Sequence, residues 1–338
     1  MRVTILGAGA MGSALTIPLT DRGNEVRLWA TEYDRNVLNM LREGKVHPRI
    51  NVTIPSEVAL YEPEELEDAL KGADVVVVAV SSEGLLNVLN RISGLVECKQ
   101  RILAVTKGFV KVNGRILTVA QAVKSLLGEE VGFVYISGPS IAKELASRSY
   151  TNVIFNCEDR EVALELKKAF ETEYYRIGIS TDVIGAELCA ALKNVYAIAI
   201  GVVDGLAEAK GGITMENAKA TLFSKSIGEM AEIVKNWGGE AETAYGLSGI
   251  GDLLVTIRGG RNGMLGRLIG RGLPVEGALN EMARKGFGVV EGYVTAKVGY
   301  EIIIRDRGLK PSRVPVLYNT YRLLHEGLKL EEFLKEVL

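Results

Sequence analysis

"TILGAGAMGSAL" (4–15) decides how the first half of the chain folds. It places Gly7, Gly9 and Gly12 in GxGxxG spacing, with Ala10 and Met11 between the last two glycines. A bare GxGxxG is weak evidence. Here it follows a Val/Thr/Ile-rich strand at the very N-terminus and opens a helical pattern, the setting in which the motif carries a mechanism. Gly7 then permits the tight turn, Gly9 lets the backbone approach a pyrophosphate, and Gly12 lets helix and strand pack closely. The helix N-terminus offers unpaired N–H groups and a partial positive charge to phosphates. A glycine turn with no ligand is the competing reading.

Working outward, β-branched runs alternate with helical patterns. "RVTILG" (2–7), "EVRLWA" (25–30), "DVVVVAV" (74–80), "RILAVTKG" (101–108), "VGFVYISG" (131–138) and "TNVIFNC" (151–157) read as strands. Continuous apolar runs suit strands buried on both faces of a parallel sheet, and intervening helices such as 62–72 give the βαβ rhythm of a doubly wound α/β domain. From about Thr181 the patterns turn helical, over 182–208, 214–237, 263–271, 275–284, 291–306 and 313–326. The expectation is a dinucleotide-binding domain over 1–180 with a Rossmann-type doubly wound sheet, and an all-helical substrate-binding and catalytic domain over 181–338. After the second strand, Glu32 lies 20 residues past Gly12, where a carboxylate bonds the adenosine ribose 2′-hydroxyl. That favours NAD over NADP. Thr31 and Arg35 pull the other way, since a hydroxyl and a guanidinium can hold a 2′-phosphate; a solvated loop acid is the plain alternative for Glu32.

Composition narrows the function classes. The 338 residues are 47% hydrophobic, with a net charge of −2, enough for two domains of ~150 residues. No basic tail or aromatic-interleaved basic stretch points to nucleic acid. Cys98, Cys157 and Cys189 are scattered, odd in number and lack metal spacing, which suits reduced thiols in the cytoplasm and no metal site. Strand residues begin at Met1-Arg2-Val3, leaving no room for a signal peptide. The longest uninterrupted apolar run, 195–203, is far short of the ~20 residues that span a bilayer. Two histidines, His47 and His325, give little support to histidine-based mechanisms.

"ALKNVYAIAIG" (191–201) is the chemical oddity. On a helix, the neighbours of Lys193 at three, four and seven residues are Ala186, Cys189, Ala190, Tyr196, Ala197 and Ile200, so no acid stands beside it. A buried unpaired ammonium is costly. Three outcomes are open: snorkelling to solvent, a partner from a distant segment, or a polar cleft in which burial tunes the lysine for proton transfer. "GIGDLLVTIRGGRNGMLGR" (249–267) sets Asp252 in a glycine-flanked apolar stretch, then Arg261 and Asn262 after two glycines where a helix begins. An arginine fork beside free helix N–H groups is an anion seat; a surface arginine and an N-cap asparagine is the alternative. Lys107 and Ser140 follow strands at the sheet end where ligands of open α/β folds lie, with Ser140 placed to cap a helix. Simple strand-to-helix turns are again the alternative.

Together these pieces resemble the NAD(P)-dependent sn-glycerol-3-phosphate dehydrogenases. The resemblance covers nearly the whole chain in order: GAGAMG (7–12), VTKG (105–108), SGPSIAKEL (137–145), ELCAALKNVYAIAIGVVDGL (187–206), GIGDLLVT (249–256), GGRN (259–262) and VVEG (289–292). It implies oxidoreductase activity that interconverts dihydroxyacetone phosphate and sn-glycerol 3-phosphate with NAD(P)H, supplying glycerol phosphate for phospholipid synthesis. It implies Lys193 as general acid/base with Asp252 as its partner. It implies substrate contacts at Lys107, Gly138, Ser140, Thr256, Arg261 and Asn262, and cofactor contacts at Gly7, Gly9, Ala10, Met11, Gly12, Glu32, Lys107, Ala142, Arg261 and Glu291. A homodimer follows from fold analogy. Gly260 stands where many bacterial members have serine. A related two-domain dehydrogenase acting on a 3-hydroxy acid or ketopantoate, and a non-catalytic dinucleotide-sensing regulator, are the rival readings.

Overall fold

The computed structural model describes residues 1–97, 99–211 and 213–338. Cys98 lies outside the described residues; Cys157 and Cys189 are buried free thiols. The chain divides into two compact units, Met1–Val183 and Ile184–Leu338.

The first unit is built on an eight-stranded sheet. Its strands are β1 (Arg2–Leu6), β2 (Glu25–Trp29), β3 (Ala59–Tyr61), β4 (Val75–Val78), β5 (Arg101–Ala104), β8 (Gly132–Ser137), β9 (Thr151–Asn156) and β10 (Tyr175–Ser180), with the order β10-β9-β8-β5-β4-β1-β2-β3; β6 (Val110–Val112) and β7 (Arg115–Leu117) form a separate hairpin. All four residues of β4 are fully buried, as a central strand covered on both faces must be. The six strands read from the sequence are all present.

The sheet is not parallel throughout. Strand β9 runs antiparallel to β8, and β10 runs parallel to β9, so the last two strands reverse the expected direction of "TNVIFNC". The connection from Ser137 to Thr151 explains why. It contains a helix of only five residues, Ala142–Ala146, about 7.5 Å long. A six-residue strand is about 20 Å long, so this helix alone does not span the return that a parallel crossover makes. Strand β10 ends at Ser180, and after two intervening residues the Val183–Ala209 helix begins.

The second unit contains no strand among the described residues. Its axis is the Val183–Ala209 helix, nearly all of it buried. By length and composition this helix is apolar enough to cross a bilayer, yet 94% of its most apolar stretch is buried inside the protein. Counting only the uninterrupted run 195–203 understates its length. It is the core helix of this unit.

Two devices fix that helix. The first is a glycine seam with the Arg261–Gly270 helix. A Cβ on Gly205 would lie 2.0 Å from the Arg267 carbonyl oxygen, one on Gly266 2.1 Å from that of Ile198, and one on Gly270 2.0 Å from that of Val202. The backbones touch, and nothing larger than hydrogen fits. The second is Glu229, buried on the Glu216–Asn236 helix. Its carboxylate accepts from Val316 N (2.6 Å) and Leu317 N (2.9 Å), in the first turn of the Pro315–His325 helix, and from Tyr196 Oη (3.2 Å), one turn beyond Lys193. Burial pushes the Glu229 carboxyl up to about 7, although its three donors favour the charged form.

Two predictions follow from this packing. Gly205→Ala should destabilise the protein by about 1–3 kcal/mol through overpacking. Gly228→Ala, on an exposed helical site with nothing within 4 Å of the added carbon, should be neutral or stabilise by up to about 1 kcal/mol. Equal melting temperatures for the two variants would contradict the seam. For Glu229, the folded chain keeps the proton up to about pH 7, whereas an unfolded glutamate releases it near 4.5. The folded state therefore binds more protons in that window, and stability falls as pH rises through it. Glu229→Gln should gain on the wild type between pH 4.5 and 7 by on the order of 3 kcal/mol. A stability difference that does not vary with pH would rule this out.

Candidate active site

In the first unit, the candidate residues for a dinucleotide seat gather at the C-terminal ends of the strands. The three glycines carry separate duties. Gly7 has φ +111° and a Cβ there would press on Val80 at 2.9 Å. Gly12 sits so close to Gly7 that its Cβ would lie 2.0 Å from the Gly7 carbonyl oxygen. Gly9 is different, with nothing within 4 Å of the added carbon. It precedes the Ala10–Asp21 helix as its cap and supplies no side-chain bond, so the first N–H groups of that helix border open space. This is the opening a pyrophosphate needs, and the residues present fit a dinucleotide.

A cavity of about 940 Å³ lies against this loop, lined by Gly7, Gly9, Thr31, Glu32, Arg49 and Arg91 among others. That volume suits a nucleotide-sized ligand. Two residues that the sequence reading passed over hold the loop in place. Asp34 accepts from Thr31 Oγ1 (2.7 Å), Thr31 N (3.2 Å) and Ala8 N (3.3 Å); the T-x-x-D spacing of 31–34 is the signal for it. His47 is fully buried. Its Nδ1 accepts from Arg49 N (3.1 Å), so its Nε2 carries the proton and donates to Ala8 O (3.1 Å). Burial pushes its pKa below the usual 6.5, which keeps the ring neutral. No sequence pattern announces this contact.

The other first-unit candidates flank the same sheet end. Thr106 Oγ1 donates to Val80 O (2.7 Å), tying the loop that carries Lys107 to the loop after β4. Gly138 follows β8 with φ +98°. Ser140 is not a helix cap: the cap of the following helix is Ile141, with no side-chain bond. Ser140 Oγ instead lies 3.9 Å from Met11 Sδ, because the helix starts one residue later than the serine would need. Ala142 is the first residue of that helix and is half-buried.

In the second unit, Lys193 and Asp252 meet. Lys193 Nζ donates to Asp252 Oδ1 at 2.5 Å, and their side chains are only 8% and 2% exposed. Of the three outcomes open for the lysine, snorkelling is excluded. A distant acid is present, and it comes from the first turn of the Asp252–Ile257 helix. A π-helical turn, Leu247–Gly251, delivers it there. That turn needs Gly249, whose Cβ would lie 2.0 Å from the Ala244 carbonyl oxygen. Thr256 Oγ1 donates to Asp252 O (2.6 Å) and steadies the same helix.

Beside the pair runs a chain of amides. Asn194 Oδ1 accepts from Asn262 Nδ2 (2.9 Å), and Asn194 Nδ2 donates to Glu291 Oε2 (3.2 Å). Asn262 Oδ1 accepts from Gly292 N (2.8 Å). Gly292 must be glycine, since a Cβ would lie 2.4 Å from the Asn194 carbonyl oxygen. Asn262 is therefore not an N-cap. Gly260 is the cap, with φ +106°, and Asn262 turns inward from the second position of its helix. Arg261 stays at the rim, its side chain 44% exposed, with long contacts of 3.5 Å to Phe287 O and Glu291 Oε1. Such loose contacts leave the guanidinium fork available to an anion. Among the described residues no group of His, Cys, Asp or Glu is arranged to hold a metal ion.

Known proteins resemble this chain in sequence and fold. Residues 2–163 match the family described as "NAD-dependent glycerol-3-phosphate dehydrogenase N-terminus", and residues 182–335 match the corresponding C-terminus. The chain is 45% identical over its full length to the NADP(+)-dependent glycerol-3-phosphate dehydrogenase of Archaeoglobus fulgidus, covering 99% of that protein. It is 32% identical to the glycerol-3-phosphate dehydrogenase [NAD(P)+] of Bacillus subtilis, over all of this chain and 94% of that one. Among solved structures, the glycerol-3-phosphate dehydrogenase of Coxiella burnetii superposes with a TM-score of 0.86 at 30% identity, covering 99% of this chain and 98% of that one. With both halves matched in order and relatives above 30% identity along the whole length, the chain belongs to the NAD-dependent glycerol-3-phosphate dehydrogenase family.

Proposed function

We propose that this chain interconverts dihydroxyacetone phosphate and sn-glycerol 3-phosphate, with Lys193 as the proton donor and acceptor at the substrate C2 oxygen. The observation that carries the reading is the buried Lys193–Asp252 contact. A chain that only sensed a dinucleotide would have no use for an ammonium–carboxylate pair enclosed in a helical core, where desolvating both ions is costly. An acid/base catalyst at a developing alkoxide does.

NAD(P)H, when bound, supplies the hydride. The protein's residues bind, orient and move a proton. In the reductive direction Lys193 Nζ donates its proton to the C2 oxygen as negative charge develops there, and in the oxidative direction it withdraws that proton. Asp252 holds the lysine charged and aimed. Arg261 provides a forked, charge-assisted seat for the substrate phosphate, with Asn262 donating its second amide hydrogen to it. Fixing the phosphate fixes the position of the carbonyl. Lys107, Gly138, Ser140 and Thr256 are proposed as further substrate contacts. Gly7 to Gly12, Glu32, Lys107, Ala142, Arg261 and Glu291 are proposed as contacts to the cofactor. The same proposal includes a cytoplasmic location, supported by the two free thiols, a homodimeric state from fold analogy, and a product used for phospholipid synthesis.

Steady-state kinetics with dihydroxyacetone phosphate test the assignment. Lys193→Ala should lower kcat by ~10²–10⁴-fold while nucleotide binding stays near normal. Arg261→Ala should act on substrate affinity instead, raising KM by roughly 10–150-fold, the worth of a charge-assisted hydrogen bond. Near-normal turnover in the lysine variant, or an unchanged KM in the arginine variant, would remove the respective role.

A further inference from the structure

The wall of the dinucleotide cavity carries a carboxylate and a guanidinium bonded to each other. Arg91 Nη1 donates to Glu32 Oε1 at 2.6 Å, and Arg91 Nη2 donates to Pro63 O at 2.6 Å. The guanidinium carbon lies 4.8 Å from the centroid of the fully buried Trp29 ring. Both Glu32 and Arg91 line the cavity, and both side chains are reachable from solvent, at 53% and 29% exposure. The two bonds use two of the five N–H donors of Arg91. Thr31 and Arg35, which the sequence suggested for a 2′-phosphate, are committed elsewhere. The Thr31 hydroxyl donates to Asp34, and Arg35 is paired with Glu62 and Glu64.

This changes the meaning of Glu32. A lone carboxylate at the end of β2 repels a 2′-phosphate. A carboxylate already neutralised by a guanidinium does not, because an incoming phosphate meets the cation as well as the anion. The indole face gives the guanidinium a flat platform that favours its charge, and swinging in plane on that platform keeps the stacking while exchanging one anionic partner for another. Arg's planar fork suits a phosphate in two-point contact.

We propose that Glu32 and Arg91 act together as a two-way selector for the adenosine ribose. Glu32 accepts from the 2′-hydroxyl of NAD(H). Arg91 leaves Glu32 and takes the 2′-phosphate of NADP(H). The chain therefore accepts both nucleotides, and the two residues set the ratio. This inference rests on the reading that the cavity holds the dinucleotide.

The test is direct binding, by nucleotide fluorescence titration of NADH and of NADPH into the full chain without substrate. The wild type should bind both. Arg91→Gln should weaken NADPH by roughly 10–150-fold, the scale of charge-assisted hydrogen bonds, and change NADH by less than about threefold. Glu32→Gln should do the reverse, weakening NADH and tightening NADPH. Arg49→Gln removes the other guanidinium on the cavity wall and reports the general cationic field. Parallel losses for both nucleotides in Arg91→Gln, or a phosphate preference that disappears with Arg49→Gln and survives Arg91→Gln, would overturn the selector. Failure of the wild type to bind either nucleotide would instead overturn the dinucleotide reading on which it rests.

Discussion

The second unit is organised around one costly act, the enclosure of the Lys193 ammonium in an apolar helix. Losing the water around a single charge costs several kcal/mol even after the protein relaxes. The residues three, four and seven positions away on the Val183–Ala209 helix include no acid. A carboxylate is brought in from a distant segment. The π-helical turn at Leu247–Gly251, the contact of Gly249 with Ala244 and the short helix from Asp252 together bring in a carboxylate at 2.5 Å. Glycines at 201, 205, 266 and 270 let the neighbouring helix approach to backbone contact, which is how Asn262 comes within reach of Asn194. The same seam sets the amides of Asn194 and Asn262 side by side, next to the enclosed lysine.

The first unit solves a different problem, that of leaving room. Gly7 and Gly12 are glycines because atoms already stand where their side chains would go, whereas a side chain at Gly9 would meet only open space. Around that opening, Asp34 and the neutral ring of His47 hold the loop from both sides through Ala8. A rigid, vacant-faced loop at a helix N-terminus is preorganised for a pyrophosphate. A flexible one would lose affinity to the entropy of ordering it.

Much of this was legible in the sequence, for definable reasons. The glycine spacing and the continuous apolar strands are local features, and the sheet of the first unit followed from them. That no acid stands three, four or seven residues from Lys193 could be read from helical spacing. That Asp252 was the partner could not: the two are 59 residues apart, and only the family resemblance connected them. The reversed strand β9 was missed because run composition says nothing of direction; the short Ala142–Ala146 helix held that information. Ser140 and Asn262 both read as caps in the sequence, but one helix starts a residue later than Ser140 would need and the other two residues earlier than Asn262 would need. Asp34, His47 and Arg91 act through contacts across 26 to 59 residues, which no local pattern reports apart from the T-x-x-D spacing.

The central claim is that Lys193 and Asp252 work as one unit in proton transfer. A double-mutant cycle on hydride transfer measures this directly, using single-turnover rates for the wild type, Lys193→Met, Asp252→Asn and the double variant. If the carboxylate acts only through the lysine, the double variant should be no slower than Lys193→Met alone, the non-additivity expected of residues that function together. Losses that simply add would contradict the account, since Asp252 would then contribute to the reaction without Lys193.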